Sequence, residues 1–118
     1  MLGKAKCVEL LVEKGVSLFE EDAYGQIPLF YIASENQLNL LDKYQDKKYF
    51  NQIDKLAEQT PLYYAAKKGH LEMCKALIER GCSVIHHDVH HKTAVEYARR
   101  ARYHDVTEYL RGYVKRVR

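Results

Sequence analysis

Residues 59–81 read Gln59-Thr60-Pro61-Leu62-Tyr63-Tyr64-Ala65-Ala66-Lys67-Lys68-Gly69-His70-Leu71-Glu72-Met73-Cys74-Lys75-Ala76-Leu77-Ile78-Glu79-Arg80-Gly81. The order of residue types predicts two short helices. Thr60 offers an N-cap oxygen, and Pro61 stands at the first helical position, where its missing N–H costs nothing. Gly69 stops the first helix because it tolerates positive φ. Leu71, Cys74, Leu77 and Ile78 form one apolar stripe on a second helix, which Gly81 closes. Neither helix is long enough to persist alone in water, so each must pack on a neighbour.

The neighbours are copies of the same unit. Pro28 and Pro61 lie 33 residues apart, and Gly3 and Gly69 are separated by 66 residues, as are Gly15 and Gly81. At the same period Gln26-Ile27-Pro28-Leu29-Phe30-Tyr31 lies over Gln59-Thr60-Pro61-Leu62-Tyr63-Tyr64, and one step further gives Thr93-Ala94-Val95-Glu96-Tyr97-Ala98. Residues Val8 to Gly15 fall over Cys74 to Gly81, and Val106 to Leu110 over Met73 to Leu77. A unit that buries its apolar flank only against the next copy builds a solenoid.

These residues resemble the ankyrin repeat. Residues 55–87 carry its pattern through Thr60-Pro61-Leu62, Ala65-Ala66, Gly69-His70-Leu71-Glu72 and Gly81-Cys82. Residues 22–54 carry it through Asp22, Gly25, Pro28-Leu29, Ala33 and Leu38, and residues 88–114 through Asp88, Thr93, Ala98 and Val106 to Leu110. Residues 1–21 match the second half of a unit, and 115–118 form a basic tail. The resemblance implies an all-α fold: one ankyrin-repeat domain over 1–118, a solenoid of helix-turn-helix units joined by short β-hairpin-like turns.

Departures from the pattern carry their own expectations. Phe30, Tyr63 and Glu96 replace the family's His, so aromatic packing through Tyr31, Tyr64 and Tyr97 is expected between units. Ile27 removes the cap of the second unit, a loss of about 1 kcal/mol, whereas Thr93 and Glu96 are spaced as a capping box. Lys48 replaces the closing Gly, so the link after it should take a different path, with Tyr49 and Phe50 packing there. Thr107 and Arg111 make the last outer helix polar, as a capping end requires. Cys7, Val8, Leu10, Leu11 and Val12 form a helix with an apolar flank that further repeats or a partner helix should cover.

Composition narrows the class. The chain has 118 residues, 47% hydrophobic and 30% charged, which fits one ordinary globular unit. Two Pro and six Gly disfavour a turn-dense all-β fold. The longest apolar run, Ile27 to Ala33, is too short to span a membrane. Three Cys without a Cys-x-x-Cys spacing point to reduced thiols in the cytoplasm or nucleus. Net charge is +3, but residues 99–118 hold seven basic side chains against two acidic ones, a net +5.

Residue patterns for catalysis are missing: no glycine-rich phosphate loop, no His-Glu-x-x-His and no Gly-x-Ser-x-Gly. We therefore expect no enzyme, no cofactor and no metal. His86-His87-Asp88-Val89-His90-His91 has metal-ligand residue types, but its register puts it in an exposed turn, where a solvated stretch is the preferred reading. Cys7, Cys74 and Cys82 fall on core-facing positions and read as small buried hydrophobes.

The resemblance implies protein–protein interaction through a concave surface of turn tips and first helices. Carried over by position, the contact residues are Tyr24, Gln26 and Glu35 from the second unit; Leu56, Gln59, Lys67 and Lys68 from the third; and Val89, His90, Lys92 and Arg100 from the fourth. Tyr24, Leu56 and Val89 would form the centre of the contact, with the basic side chains on its rim. The expected partner is another protein, with the chain serving as a subunit or segment of a larger assembly. The alternative is polyanion binding, to nucleic acid or acidic lipid, through Arg111, Lys115, Arg116 and Arg118.

Overall fold

The structure is a computed structural model that describes residues 20–117, with side chains as far as Val114. The helix expected around Cys7 to Val12, and the side chains of the basic tail, lie outside the described residues. Among the described residues five α-helices follow one another: α1 (Pro28–Ser34), α2 (Pro61–Lys68), α3 (Leu71–Glu79), α4 (Ala94–Arg100) and α5 (His104–Val117). Two 3-10 segments, Leu38–Lys43 and Lys47–Asn51, stand between α1 and α2. Among the described residues there is no strand. Helices α1, α2 and α4 pack side by side as an inner row, while α3 and α5 lie behind α2 and α4 as an outer row.

The core runs through this stack. Leu29, Phe30, Ile32 and Ala33 of α1, Leu62, Tyr63, Ala65 and Ala66 of α2, Met73, Cys74 and Leu77 of α3, and Val106 and Leu110 of α5 are all buried. Aromatic rings link successive units: Phe30 meets Tyr64 edge-on at 5.5 Å between ring centres, and Tyr63 meets Tyr97 at 5.7 Å. Such pairs add about 0.5–1.5 kcal/mol each beyond their buried area. The Tyr63 hydroxyl also lies 2.5 Å from the His86 carbonyl and 2.6 Å from that of Lys92, tying α2 to the following turn. His70 completes a similar tie backwards, its Nε2 lying 2.9 Å from the Ser34 carbonyl.

Three local expectations need correcting. Thr60 and Thr93 do occupy N-cap positions with extended backbone, but neither side chain caps its helix, and the Thr93–Glu96 capping box does not close. The reason is a tight first turn, in which the carbonyls of Thr60 and Thr93 accept from the N–H groups of Tyr63 and Glu96, the donors a side-chain cap would have used. Second, the unit at 22–54 has no α-helix after α1, only the two 3-10 segments. Phe50 is buried there, and the rings of Tyr49 and Phe50 pack on Tyr44 at 5.7 and 6.2 Å. Asn51 bridges this segment to the next unit by donating to the Gly81 carbonyl at 2.8 Å and accepting from Ser83 N–H at 2.8 Å. Third, α5 runs on through Val117, beyond the unit boundary expected at 114.

The period is visible in the backbone itself. Left-handed φ recurs at Gly25, Glu58 and His91, at the turn tips, and again at Asn36, Gly69 and Arg102, where the inner helices end. Only Gly25 and Gly69 are free of a Cβ penalty. Glu58→Gly should therefore stabilise the fold by about 0.5–1 kcal/mol, seen as a rise of a few degrees in the Tm followed by far-UV circular dichroism. Gly69→Ala should lower the Tm, because a Cβ at that position would come within 2.6 Å of the Tyr103 ring as well as being strained.

Candidate functional site

The site is the row of hairpin turns that leads into the inner helices. Each turn is closed by backbone hydrogen bonds, from Asp22 N–H to the Gln26 carbonyl, Asp54 to Gln59 and Asp88 to Lys92, at 2.9, 3.0 and 2.9 Å. Consecutive tips are joined in the same way, Lys55 N–H donating to Tyr24 O at 2.7 Å and Val89 N–H to Ala57 O at 2.9 Å. The turns thus stand side by side like the edge of a sheet without forming one.

An aspartate shapes every turn. One carboxylate oxygen accepts two backbone N–H groups: those of Tyr24 and Gln26 on Asp22, of Ala57 and Gln59 on Asp54, and of His90 and Lys92 on Asp88. The other oxygen accepts from a tyrosine hydroxyl on the inner helix of the same unit, in the pairs Asp22–Tyr31, Asp54–Tyr64 and Asp88–Tyr97. At Asp54 and Asp88 a glutamine of the preceding unit completes the set. Gln26 Nε2 donates to Tyr64 Oη at 2.8 Å and to Asp54 at 3.3 Å, and Gln59 Nε2 donates to Asp88 at 2.9 Å. Lys67 sits among them, its Nζ 2.5 Å from Gln59 Oε1 and about equally placed over the Tyr64 and Tyr97 rings, at 5.0 and 4.9 Å.

Protonation follows from these bonds. Burial alone would raise the Asp88 carboxyl, but the hydrogen bonds from Tyr97, Gln59 and the Lys92 and His90 backbone outweigh it and hold the group well below the usual carboxylate range. Asp54 is lowered for the same reason, with burial opposed by bonds from Tyr64, Ala57, Gln59 and Gln26. Burial and the adjoining carboxylate push the Tyr31 hydroxyl up to about 12. For Lys67, burial lowers the ammonium against the pull of Asp54 and Asp88.

The expected contact residues divide into two groups. Tyr24, Leu56 and Val89 stand out at the tips, 53%, 61% and 49% exposed, beside exposed His90. Lys68 and Arg100 are exposed on the inner helices, while Glu35 and Lys92 are half-buried. Gln26 and Gln59 differ from the rest: they are 6% and 3% exposed, and their amides are engaged inside the ladder. Lys67 is half-buried and held by Gln59. The third unit's turn also begins at Asp54, one residue ahead of the 33-residue register, with a longer loop to Gln59. The recurring Asp–Tyr spacing of 9, 10 and 9 residues was the signal that could have disclosed the ladder.

The histidine-rich turn is dispersed. His86 Nε2 lies 2.7 Å from the Glu58 carbonyl, with its ring edge-on to Tyr63, while His87, His90 and His91 are exposed. Among the described residues no three His, Cys, Asp or Glu side chains gather as a metal site.

The ladder predicts an acid response. The folded carboxyls of Asp54 and Asp88 are depressed, so the unfolded chain takes up protons first; the ladder's contribution is complete above about pH 5 and is lost as pH falls through the folded values. Thermal unfolding should show Tm falling between pH 5 and pH 3, and Asp88→Asn should flatten that slope. Tyr97→Phe should lower Tm at pH 7, removing a hydrogen bond to a charged group worth about 1.5–3 kcal/mol.

Comparison with known proteins agrees with this geometry. A family model described as ankyrin repeats, in three copies, matches residues 40–117. A stretch of 84 residues, 70% of the chain, is 32% identical to the ankyrin repeat protein nuc-2 of Neurospora crassa. The match spans only 8% of that much longer protein. Ankyrin repeats generally mediate protein–protein interaction and are typically non-enzymatic. With its stacked helical pairs, hairpin tips and threefold match, the chain belongs to the ankyrin-repeat family.

Proposed function

We propose that the chain is a non-enzymatic docking module that binds a partner protein across its hairpin tips and the exposed side of its inner helices, as a subunit or segment of a larger assembly. The observation that carries this reading is the apolar row Tyr24, Leu56 and Val89, exposed on turns whose backbone is tied in place by Asp22, Asp54 and Asp88. Large apolar side chains on a rigid base bind without much ordering cost, which is where interface energy concentrates. Lys68 and Arg100, exposed in the last turns of α2 and α4, favour an acidic rim on the partner. Among the described residues Cys74 and Cys82 are buried free thiols, burial pushing Cys74 up to about 12 and Cys82 to about 11, and they suit a reducing compartment, the cytoplasm or nucleus.

The test compares proteins captured by the wild-type chain, by Leu56→Asp and by a variant with Arg111, Lys115, Arg116 and Arg118 changed to Gln. Capture should fall at least tenfold with Leu56→Asp and survive in the tail variant. The opposite pattern, with binding lost on neutralising the tail and falling steeply with salt, would replace this reading with polyanion binding.

A further inference from the structure

Where the inner helices end, left-handed φ falls at Asn36, Gly69 and Arg102, at 57°, 73° and 65°, each 33 residues after the last. Asparagine and glycine suit this conformation at a helix end; an arginine there is strained at its Cβ. The backbone alone would be better served by glycine at 102, so Arg102 is held against its own preference.

The surroundings are basic and open. Residues 99–105 are exposed without a break; Arg99, Arg100, Arg102 and His104 stand in that run, with Asp105 its one carboxylate. Asp105 Oδ1 turns back onto the Val106 N–H at 2.8 Å. Among the described residues the ion pairs are Lys75–Glu72 and Arg80–Asp42, so Lys68, Arg99 and Arg102 are in none. Tyr103 joins this loop to the one before it. Its ring lies over Gly69, where an added Cβ would come within 2.6 Å, yet the residue is 37% exposed. Lys68 and Arg102 each directly precede one member of that contact, which puts their Cα atoms about 3.8 Å from it on either side. Tyr103 is itself fixed, its N–H on the Ala98 carbonyl at 3.0 Å and its carbonyl accepting from the Thr107 hydroxyl at 2.8 Å.

We propose that this edge binds single-stranded nucleic acid, a base stacking on Tyr103 and the flanking phosphates meeting Arg102, Arg99 and Lys68. An unpaired strand is favoured because it offers free base faces to an exposed ring, while guanidinium groups match phosphate oxygens. A membrane surface is disfavoured: Tyr103 is the one large apolar residue exposed within 99–105, too little for an anchor. An acidic protein segment would engage the cations and leave the ring unused. The edge lies at the C-terminal ends of α2 and α4, whereas the hairpin tips lead into their N-terminal ends. It therefore goes beyond the docking reading, with Lys68 common to both.

The probe is a fluorescein-labelled oligouridylate of about 12 nucleotides, read by anisotropy. Its complementary duplex, poly-glutamate and phosphatidylserine vesicles serve as competitors. The chain should bind the single strand best, with affinity falling steeply as salt rises. Arg102→Gly should raise the Tm by a few degrees and yet weaken binding several-fold, and adding Arg99→Gln should bring the loss to about tenfold. Tyr103→Leu, which keeps an apolar contact with Gly69, should weaken binding about fivefold or more at an unchanged salt slope. Leu56→Asp and the variant with Arg111, Lys115, Arg116 and Arg118 changed to Gln should bind as the wild type does, so failure here is distinguishable from failure of partner capture. No binding, a competitor held as tightly as the single strand, or undiminished binding by Arg102→Gly or Tyr103→Leu would overturn the proposal. So would a loss confined to the Leu56 or tail variants.

Discussion

Asp54 and Asp88 each do three structural jobs with one carboxylate. One oxygen closes the turn on its own backbone N–H groups, and the other joins that turn to a tyrosine of the following helix and to a glutamine of the preceding unit. A buried carboxylate is costly unless its lone pairs are filled, and here they are. Apolar stacking of α1, α2 and α4 supplies most of the association between units, but greasy faces slide and rotate at little cost. The directional bonds fix how far each unit advances and turns relative to the last. Every other feature of the row, from tip spacing to the place of Lys67, follows from that.

The same arrangement decides which residues remain for recognition. Because Gln26 and Gln59 serve the ladder, the polar turn residues nearest the inner helices are withdrawn from solvent, and the tips are left to the apolar side chains of Tyr24, Leu56 and Val89. The turn backbone beneath them is held at several points, so little freedom remains to be lost on docking. Lys67, between two tyrosine rings and two carboxylates, neutralises charge inside the row and contributes little outward field.

Much of this was legible in the residues. Pro28, Pro61, Gly69 and Gly81 are rare types with sharp backbone requirements, so their spacing disclosed the period, and the stripe Leu71–Cys74–Leu77–Ile78 disclosed the outer helix. The exposed tips followed from the register as well. The fate of Gln26 and Gln59 did not, because a glutamine beside a turn looks the same whether its amide meets water or a carboxylate one unit away. Asp54 was hidden by standing one residue out of step. The 3-10 segments were hidden because Leu40 and Leu41 bury apolar surface in either kind of helix, and only the missing glycine at Lys48 hinted at the change.

Those 3-10 segments make the outer side of the stack uneven. Between α2 and α4 the units are joined by a full outer helix on each side, by the edge-on Tyr63–Tyr97 pair and by Lys67. Around residues 38–51 the outer side is built instead from short i→i+3 turns, the buried rings of Tyr44 and Phe50, the side chain of Asn51 and the exposed Arg80–Asp42 pair. Short 3-10 turns open locally more easily than α-helices, so amide hydrogens there should exchange with deuterated water ahead of those in α2, α3 and α4. A docked partner that spans Tyr24 and Leu56 would brace the units on either side of that stretch like a splint.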